Sequence, residues 1–339
     1  MNNIEMLVGT YTRNTDSDGI YTIIEGRAVL AAHCDNPSFI AKHPHGDVLY
    51  SVSEVDDYQE TNSGAVRSFF RQHNGQLTEM NQQSSVGADP CHITVAKNGA
   101  YLLVSNYSGG TLTSFPLDED GHLEAFISLT QHTGHSVISD RQASAHIHSS
   151  LLVEQEMGLL VADLGADQFV KYEISALGQI NTEHRLTLAT PPGAGPRLMV
   201  TLVDHVYLLN ELNNTVTVHD LADLKQTQTC STLQPTGAPD SIAAHIEISA
   251  DGRFLYTSNR GDDSISVFSL EGGLKLLETI SSGGQHPRYF ALSPDQSWLF
   301  VANMLSNQIS CFKRDPKSGR LADTDHRINV PSPTCLVFA

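Results

Sequence analysis

The chain has 339 residues and a formal net charge of −18, with 40% hydrophobic and 17% charged residues. This composition is ordinary for a globular protein, it contains no run of about 20 apolar residues that would cross a membrane, and its acidity disfavours nucleic acid and anionic membrane surfaces as partners. Five scattered cysteines without a CxxC pair, and a beginning without a basic and apolar export signal, predict a cytoplasmic protein with reduced thiols.

Seven short strand-like segments recur along the chain, each ending in a small or polar pair. In chain order they read LVGT (7–10), LYSVSE (49–54), LLVSN (102–106), LLVAD (159–163), YLLNE (207–211), LYTSN (255–259) and LFVAN (299–303). Their last residues, the strand-end set, are Thr10, Glu54, Asn106, Asp163, Glu211, Asn259 and Asn303. The steps between them are 44, 52, 57, 48, 48 and 44 residues. A strand-type repeat of this period predicts a β-propeller.

Each repeat contains several strands joined by tight turns. The clearest repeat, residues 245–270, alternates apolar and polar residues in HIEIS, turns at SADGR, returns as FLYTSN and ends in the strand ISVFSL. The turns of the related repeats contain Asp251-Gly252, Asn98-Gly99 and Pro294-Asp295. Such residues favour turn conformations, so each repeat is predicted to be one antiparallel blade.

The two ends of the chain resemble parts of one blade. MLVGTYT, GIYTIIE and AVLAAH supply three strands at the start, and PTCLVFA at 333–339 matches an innermost strand. A blade shared by both ends leaves no exposed sheet edge. We therefore expect an all-β fold, a single seven-bladed domain over residues 1–339 that is closed by its two terminal regions.

Aligning the repeats predicts where a functional site lies. The innermost strands begin at what we call the strand-start set: Ser38, His92, His148, Arg197, His245, Arg288 and Thr334. The strand-end set follows about fourteen to sixteen residues later, and in an antiparallel hairpin these two positions are neighbours. Both sets should surround one mouth of the central channel. Because five of the seven strand-start residues are His or Arg, this mouth is the predicted active site.

The residue types in this ring suit acid–base chemistry on an anion. His148, with His146 two residues earlier, can titrate near neutrality and act as general acid or base. Arg197 closes the stiff segment PPGAGPR and offers forked donors to a carboxylate or phosphate, with Glu211 expected beside it. A hydrogen-bonding histidine and an ion pair that only staples the blade are the structural alternatives for these residues.

Further residues of the ring are predicted to contact substrate. Arg260 and Arg288 bring positive charge to the same rim and would offset the acidic field where an anion docks. The predicted substrate contacts are Arg288, His92, His245, His146, Asn106 and Asn259, and the predicted catalytic residues are His148, Glu211, Arg197 and Arg260. For His92 and His245 alone, a purely structural role is the alternative.

No cofactor or metal is expected. The chain has no phosphate-binding P-loop, dinucleotide fingerprint or nucleophile elbow. The pairs His43-Pro44-His45 and His146-Ile147-His148 lack cysteine partners and a HExxH helix, so they are weak indications of zinc. Calcium bound by the acidic residues of the channel would compete with the neighbouring arginines.

At these residues the chain resembles the seven-bladed propeller lactonase family, which includes propeller-type 6-phosphogluconolactonases and carboxymuconate lactonizing enzymes. The matching pieces are HIHSSLL, GAGPRLMV, NELNNTVTVHDL, SADGRFLYTSNRGDDSISVFSL and HPRYFALSPDQSWLFVANMLSNQISCF. The resemblance implies a His, two Arg and a Glu in catalysis, matched by His148, Arg197, Glu211 and either Arg260 or Arg288. Leu198 departs from the family pattern, which often has His there.

The resemblance and the ring together favour hydrolysis of 6-phosphogluconolactone to 6-phosphogluconate, a step of the pentose phosphate pathway. His148, with Glu211, would activate water, Arg197 would stabilise the oxyanion, and Arg260 and Arg288 would hold the phosphate. One alternative is a cycloisomerase acting on a muconate-type dicarboxylate, which needs the same groups. Another is a non-catalytic propeller that binds a ligand or protein across its face.

Overall fold

The chain forms seven four-stranded antiparallel sheets arranged as the blades of a propeller. A computed structural model describes residues 5–153 and 157–339, and in these ranges it has 28 β-strands and one turn of 3₁₀ helix at Tyr58–Glu60. None of the helical segments in the described part of the chain has the length and hydropathy of a membrane-spanning helix.

The first blades follow one another along the chain, and each is given with its innermost strand first. Blade 1 consists of β4 (Ile40–Lys42), β5 (Val48–Ser53), β6 (Ala65–Arg71) and β7 (Leu77–Ser84). Blade 2 consists of β8 (Pro90–Val95), β9 (Tyr101–Asn106), β10 (Thr111–Pro116) and β11 (Ser128–Gln131). Blade 3 consists of β12 (Ile147–Val153), β13 (Gly158–Asp163), β14 (Gln168–Ile174) and β15 (Ile180–Ala189).

The next three blades have the same order. Blade 4 consists of β16 (Pro196–Leu202), β17 (His205–Asn210), β18 (Thr215–Asp220) and β19 (Gln226–Ser231). Blade 5 consists of β20 (Ile242–Ile248), β21 (Phe254–Arg260), β22 (Ser264–Ser269) and β23 (Lys275–Ser281). Blade 6 consists of β24 (Pro287–Leu292), β25 (Trp298–Asn303), β26 (Gln308–Arg314) and β27 (Leu321–Asn329).

The last blade joins the two ends of the chain, as predicted. This closing blade consists of β28 (Pro333–Phe338), β1 (Met6–Thr10), β2 (Gly19–Ile24) and β3 (Arg27–His33), with β28 innermost. In it Met6 pairs with Phe338 and Val8 with Leu336. The innermost strands of neighbouring blades contact one another around the full ring, including β28 with β4. The predicted seven-bladed propeller and its closure are therefore confirmed.

Hydrophobic packing between blades explains why the repeats form one ring. Seven apolar clusters are present in the described residues, one at each interface between neighbouring blades. At the interface of blade 6 with the closing blade, for example, Phe300 and Ile309 pack with Met6 and Val8. A lone blade would expose both of its apolar faces, so each blade depends on its two neighbours for burial.

The turn between the first two strands of a blade follows the sequence prediction. In blade 5 the Ser249 hydroxyl and the Arg253 N–H donate to Asp251 Oδ1 at 2.6 and 3.1 Å, and Gly252 has a φ of 70°. A left-handed residue after an Asp that caps the turn is the arrangement that glycine favours. Blade 6 repeats it with Gln296, at φ 61°, after Asp295.

A β-bulge near the start of the innermost strand determines which side chains enter the channel. In five blades one residue is skipped by the pairing: Cys91, His148, Arg197, Arg288 and Thr334. In blade 5 the irregularity spans Ala244 and His245, and Ala244 is equivalent because Ala243 pairs with Asn259 as Pro287 pairs with Asn303. A bulge re-aims the side chain of its extra residue.

The bulge corrects the predicted register in two blades. We call the equivalent residues the bulge ring: Ser38, Cys91, His148, Arg197, Ala244, Arg288 and Thr334. His92 and His245, predicted in the strand-start set, each lie one residue past it. The sequence contains a signal for the correct register, since a proline precedes the bulge residue at Pro37, Pro90, Pro196, Pro287 and Pro333.

Candidate active site

The bulge ring encloses a cavity at the centre of the propeller. All seven of its residues line this cavity, together with Phe39, His92, Leu198 and Tyr289. The free space is about 20 Å³, which is room for about one water molecule. A sugar-sized ligand therefore has to bind above the cavity, at the channel mouth.

A second ring of side chains lies at that mouth. It consists of one residue from each blade, at or directly after the end of the second strand, and we call it the mouth ring: Tyr11, Glu54, Tyr107, Leu164, Glu211, Arg260 and Met304. Six of them share one backbone hydrogen bond, illustrated by Glu211 N–H to Gly195 O (2.7 Å) and Glu54 N–H to Asn36 O (3.0 Å). The acceptor is in each case the residue two before the bulge residue, so the bulge ring and the mouth ring face the same opening.

Three arginines surround the carboxylate of Glu211. Arg141 Nη2 donates to Glu211 Oε1 at 2.5 Å, and Arg260 Nη2 lies 2.9 Å from Oε2. Arg197 Nη1 donates to the same Oε2. Glu211 is fully buried, Arg197 and Arg260 are nearly so, and the Arg141 side chain is 33% exposed. This arginine cluster has two positive charges in excess of its one carboxylate.

Electrostatics keep Glu211 ionised although it is buried. Burial alone would raise the pKa of its carboxyl group, but the charges of Arg260, Arg197 and Arg141 outweigh burial and hold the pKa well below its usual range. Burial in turn lowers the pKa of Arg260 to about 9, against the opposing charge of Glu211, which leaves the guanidinium charged at neutral pH. Arg260 Nε is buried without a hydrogen-bond partner among the described residues.

The loop before Arg197 is stiff for the reason that the sequence suggests. The N–H groups of Gly193 and Gly195 both donate to the carboxylate of Asp167, at 2.6 and 2.7 Å. Gly195 has a φ of 66°, and a Cβ there would lie 2.6 Å from the Leu212 side chain. Only glycine therefore lets this loop approach the mouth and deliver Arg197.

His148 is neutral and held by Arg197. Arg197 Nη1 donates to His148 Nε2 at 2.5 Å, and Arg197 Nε donates to the carbonyl of Ala244 at 2.5 Å. Burial, followed by the Arg197 charge, lowers the pKa of His148 well below its usual value. The ring is thus an acceptor at neutral pH, and its Nε2 lone pair is already in use. Its Nδ1 lies 3.9 Å from the thiol sulfur of Cys91.

Two residues beside His148 were not predicted. The ring of Tyr107 stacks on His146 with centroids 4.3 Å apart, and it lies edge-on to His148 at 5.5 Å. Arg141 Nη2 lies 3.4 Å from the Tyr107 hydroxyl. His146 Nδ1 contacts the Tyr107 carbonyl at 2.9 Å, so the predicted contact His146 is next to the cluster.

The sequence carried only a partial signal for these two residues. Tyr107 directly follows a strand-end asparagine in LLVSNYSGG, which a register one residue longer would have included. Arg141 lies in the long connection between β11 and β12, outside the repeat, where no periodicity points to it. The buried Gln142 beside it anchors that connection by donating from Nε2 to the Leu164 carbonyl at 2.8 Å.

A second charged group lies at another part of the mouth. The Tyr11 hydroxyl donates to Glu54 Oε1 at 2.9 Å and accepts from Arg288 Nη2 at 2.6 Å. Arg288 Nη2 is 3.7 Å from Glu54 Oε2. Arg288 also lines the cavity that Arg197 and His148 line. We call Tyr11, Glu54 and Arg288 the tyrosine group; its fixed charges cancel, in contrast to the arginine cluster.

Four predicted substrate contacts, Asn106, Asn259, His92 and His245, do not present a free amide or a positive charge at the mouth. Asn106 and Asn259 are fully buried, and their amides donate to Ser85 O at 3.0 Å and Thr232 O at 3.3 Å. They tie strands together and cannot reach a ligand. Burial and the Arg197 charge lower the pKa values of His92 and His245 to about 3, so neither brings positive charge to an anion at neutral pH.

The described residues contain no group of three or more His, Cys, Asp or Glu side chains arranged to hold a metal ion. In the first HxH pair, the His43 ring makes a contact within the pair itself, from its Nδ1 to the carbonyl of His45 at 2.6 Å. In the second pair, the two rings are committed to Tyr107 and Arg197, as described above.

Comparisons with known proteins agree with this architecture. The sequence model of the family described as "Lactonase, 7-bladed beta-propeller" matches residues 5–338. The 6-phosphogluconolactonase of Formosa agariphila is 34% identical, with 98% of each chain covered. That of Bacillus subtilis is 31% identical, covering 98% of this chain and 97% of the relative. The solved structure of the periplasmic gluconolactonase of Pseudomonas aeruginosa superposes with a TM-score of 0.90 at 31% identity over 99% of both chains.

Proposed function

The chain belongs to the seven-bladed β-propeller lactonase family, and from this premise we propose that it hydrolyses 6-phospho-D-glucono-1,5-lactone to 6-phosphogluconate without a cofactor. Its full-length relatives are 6-phosphogluconolactonases, which supports a lactone hydrolase and sets aside the alternative of a non-catalytic propeller. The substrate, the residues that bind it and the pathway it serves are parts of the proposal.

One observation carries the choice of a phosphorylated substrate: three arginines share the single carboxylate of Glu211. The whole protein has a net charge of −18, yet this spot has two positive charges in excess. Arginine binds phosphate through forked donors, and these charge-assisted bonds are strong. A phosphate at the mouth would balance the excess and would also supply an acceptor for the unpartnered Arg260 Nε. Arg141, the most exposed of the three, is placed to close over it.

In this proposal the buried groups divide the work at the lactone. Arg197, on the wall of the cavity, stabilises the negative charge that develops on the carbonyl oxygen. Glu211 holds the arginines in position, since the pKa of its carboxyl is too far below neutrality for an efficient base. His148 is the uncharged neighbour that keeps Arg197 oriented toward the cavity, and Arg288 faces the same space from the tyrosine group.

The P. aeruginosa structure gives a reason to test a second substrate. That protein is a gluconolactonase by name, and gluconolactone has the same reacting ring without a phosphate. A muconate-type dicarboxylate is the third substrate class, since carboxylates suit the same arginines. The three classes differ in charge and in the position of the charge, so relative rates separate them.

The test is the initial rate of hydrolysis of fresh 6-phosphogluconolactone, with gluconolactone in parallel, above the spontaneous rate. We expect the wild type to prefer the phosphorylated lactone and the variant Arg197→Ala to lose roughly 10²–10³-fold in kcat. The matched control is Arg253→Ala, whose ion pair with Glu271 is exposed, and it should keep full activity. A preference for gluconolactone, or turnover of muconate-type acids alone, would overturn the proposed substrate.

We also propose a cytoplasmic location. All five cysteines are free, and four of them are buried, as is usual in a reducing compartment. Since the P. aeruginosa neighbour is periplasmic by name, fractionation of cells expressing the native gene is the direct check. Recovery with periplasmic markers would contradict this location.

A further inference from the structure

We propose that Glu54 is the base that removes a proton from the attacking water, and that Tyr11 and Arg288 position it. This inference rests on the proposed lactone hydrolysis and names a different proton acceptor from the residues that the sequence pointed to.

The two acceptors expected from the sequence are already engaged. Both carboxylate oxygens of Glu211 accept from arginines, Oε1 from Arg141 and Oε2 from Arg197. His148 Nε2 accepts from Arg197 Nη1 at 2.5 Å. A base needs a free lone pair directed at the proton that it takes. His148 provides none, and the charges of the three arginines hold the pKa of the Glu211 carboxyl well below its usual range, so its remaining lone pair is a weak proton acceptor.

Glu54 does provide one. Its Oε1 accepts from the Tyr11 hydroxyl at 2.9 Å, whereas its Oε2 is buried and has no hydrogen-bond partner among the described residues. Leaving a buried polar atom unpaired is costly, so such an atom calls for a functional explanation. Arg288 is near enough to attract Oε2, at 3.7 Å, but too far to occupy it by a hydrogen bond.

The position of Glu54 suits this role. It occupies the same place in blade 1 that Glu211 occupies in blade 4, because the two backbone N–H groups make equivalent hydrogen bonds. Its partner Arg288 and the oxyanion donor Arg197 line one cavity. The space there is that of about one water molecule. A lactone bound at the mouth, above this cavity, would therefore have Arg197 on one side and Arg288, with Glu54 beside it, on another.

Tyr11 keeps the carboxylate oriented. Burial is the main reason why the pKa of Tyr11 lies far above its usual value, so the phenol keeps its proton and continues to donate to Oε1. Arg288 donates to the same phenol oxygen and completes its hydrogen bonds. The free oxygen Oε2 is therefore held in one direction without being consumed.

The proposed step balances. The water oxygen forms a bond to C1 of the lactone, one water proton passes to Glu54 Oε2, and the carbonyl π pair moves onto the carbonyl oxygen beside Arg197. When this pair returns, the bond from C1 to the ring oxygen breaks, and the proton on Glu54 passes to that oxygen. The product is the open hydroxy acid, which releases its own carboxyl proton to solvent and leaves Glu54 ionised.

The decisive variants are Glu54→Gln, which keeps size and cannot accept the proton, and Glu54→Ala. We expect kcat of Glu54→Gln to fall roughly 10²-fold or more, with KM within about threefold, as for loss of a general base. Glu54→Ala should regain part of its kcat with added formate, a carboxylate small enough for the vacated space. Tyr11→Phe, which only disturbs positioning, should lose about tenfold in kcat. The control is Glu79→Gln in the same blade, paired with Arg67.

The two proposals fail differently. The variants are assayed on both phosphorylated and unphosphorylated gluconolactone, because Glu54 acts at the ring that both share. A Glu54→Gln variant as fast as wild type, or a Glu54→Ala variant that formate does not rescue although its thermal unfolding is unchanged, would overturn the role of Glu54. A wild type that prefers the unphosphorylated lactone, with Glu54→Gln still impaired on it, would overturn only the phosphate specificity.

Discussion

Two neighbouring positions at the end of the second strand have opposite fates in every blade. The first of the two, as in Asn106, Asn210, Asn259 and Asn303, is fully buried and hydrogen-bonds within the sheet. The next residue, as in Tyr11, Glu54, Glu211 and Arg260, belongs to the mouth ring. One position is nearly uniform and the other is chemically varied. The comparison teaches that the buried position maintains the strands of the blade, while the chemical variety on which the proposed function depends lies one residue further along the chain.

The buried position works as a tie between the strands of a blade. Asn303 Nδ2 donates to Ser282 O at 3.1 Å and to Ser310 Oγ at 2.9 Å, and Asn259 makes the same contacts with Thr232 O and Ser266 Oγ. In blade 3 the carboxylate of Asp163 takes this role by accepting from the His146 N–H at 2.8 Å and contacting His132 Nδ1 at 2.9 Å. None of these side chains has a free surface for a ligand.

The largest effect is expected from the mouth position of blade 4. Glu211→Gln leaves three arginines around a neutral amide, and breaking a buried ion pair in this way costs about 3–5 kcal/mol. We expect both the free energy of unfolding and the lactonase rate to fall. Denaturant unfolding and initial rates measure the two. The control Glu271→Gln removes an exposed pair with Arg253, where the loss should stay below about 1 kcal/mol.

The tie position should separate stability from activity. Asn303→Ala removes the hydrogen bonds to Ser282 and Ser310, and leaving buried partners unsatisfied costs about 1–3 kcal/mol each time. The free energy of unfolding should fall by about that amount, while kcat and KM stay at wild-type values. A variant with wild-type stability and impaired kcat would contradict the division between the two positions.

The smallest effect is a pH dependence of the free energy of unfolding that is due to His245, one residue past the bulge of blade 5. The pKa of His245 is about 3 in the folded protein because of burial and the Arg197 charge, against about 6.5 unfolded. Below pH 6.5 the unfolded chain binds a proton that the folded chain refuses, so stability falls as the pH drops toward 3. The expected slope is at most about 1.4 kcal/mol per pH unit.

Denaturant unfolding of wild type and His245→Gln between pH 7 and 5 measures this slope. The variant lacks the titrating group, so its stability should decline less steeply over the same range. Equal slopes would show that His245 is protonated in the folded state as readily as in the unfolded state. Glu211, whose pKa is held well below its usual range, loses its contribution only at lower pH and does not confound the comparison.

The sequence was sufficient to predict the fold, but in two innermost strands it placed the first channel-facing position one residue away from where the structure has it. The regular spacing of LLVSN, LYTSN and LFVAN predicts the propeller because every blade must bury the same two faces against its neighbours. Arg197 and Glu211 were predicted as neighbours and are in direct contact, and His148, predicted in the same ring, contacts Arg197. A bulge, however, adds one residue at a place that an apolar pattern does not record, so the predicted strand start fell on His92 and His245, one residue too late.

Other parts of the site depend on contacts between distant segments. Glu54 entered the strand-end set together with Asn106 and Asn259, because the pattern does not distinguish a strand's last residue from the next one. Tyr11 and Arg288 are 277 positions apart in the chain yet 2.6 Å apart at their polar atoms. Arg141 reaches Glu211 from a non-repeating connection. Contacts of this kind depend on how distant segments come together when the ring closes. The sequence repeat predicts the ring but not the individual contacts.

Ring closure also determines when the propeller can finish folding during its synthesis. β1 pairs with β28, about 330 residues later in the chain, and at ~5–20 residues per second a ribosome needs roughly 15–65 seconds between the two. During that interval one edge of β1 has no partner, and Thr334 has not yet joined the wall of the cavity. The earlier blades can stack as they emerge, but the cavity of the candidate site becomes complete only when the final strand is released. A ribosome that stalls late in translation would thus hold an almost finished propeller without a working centre.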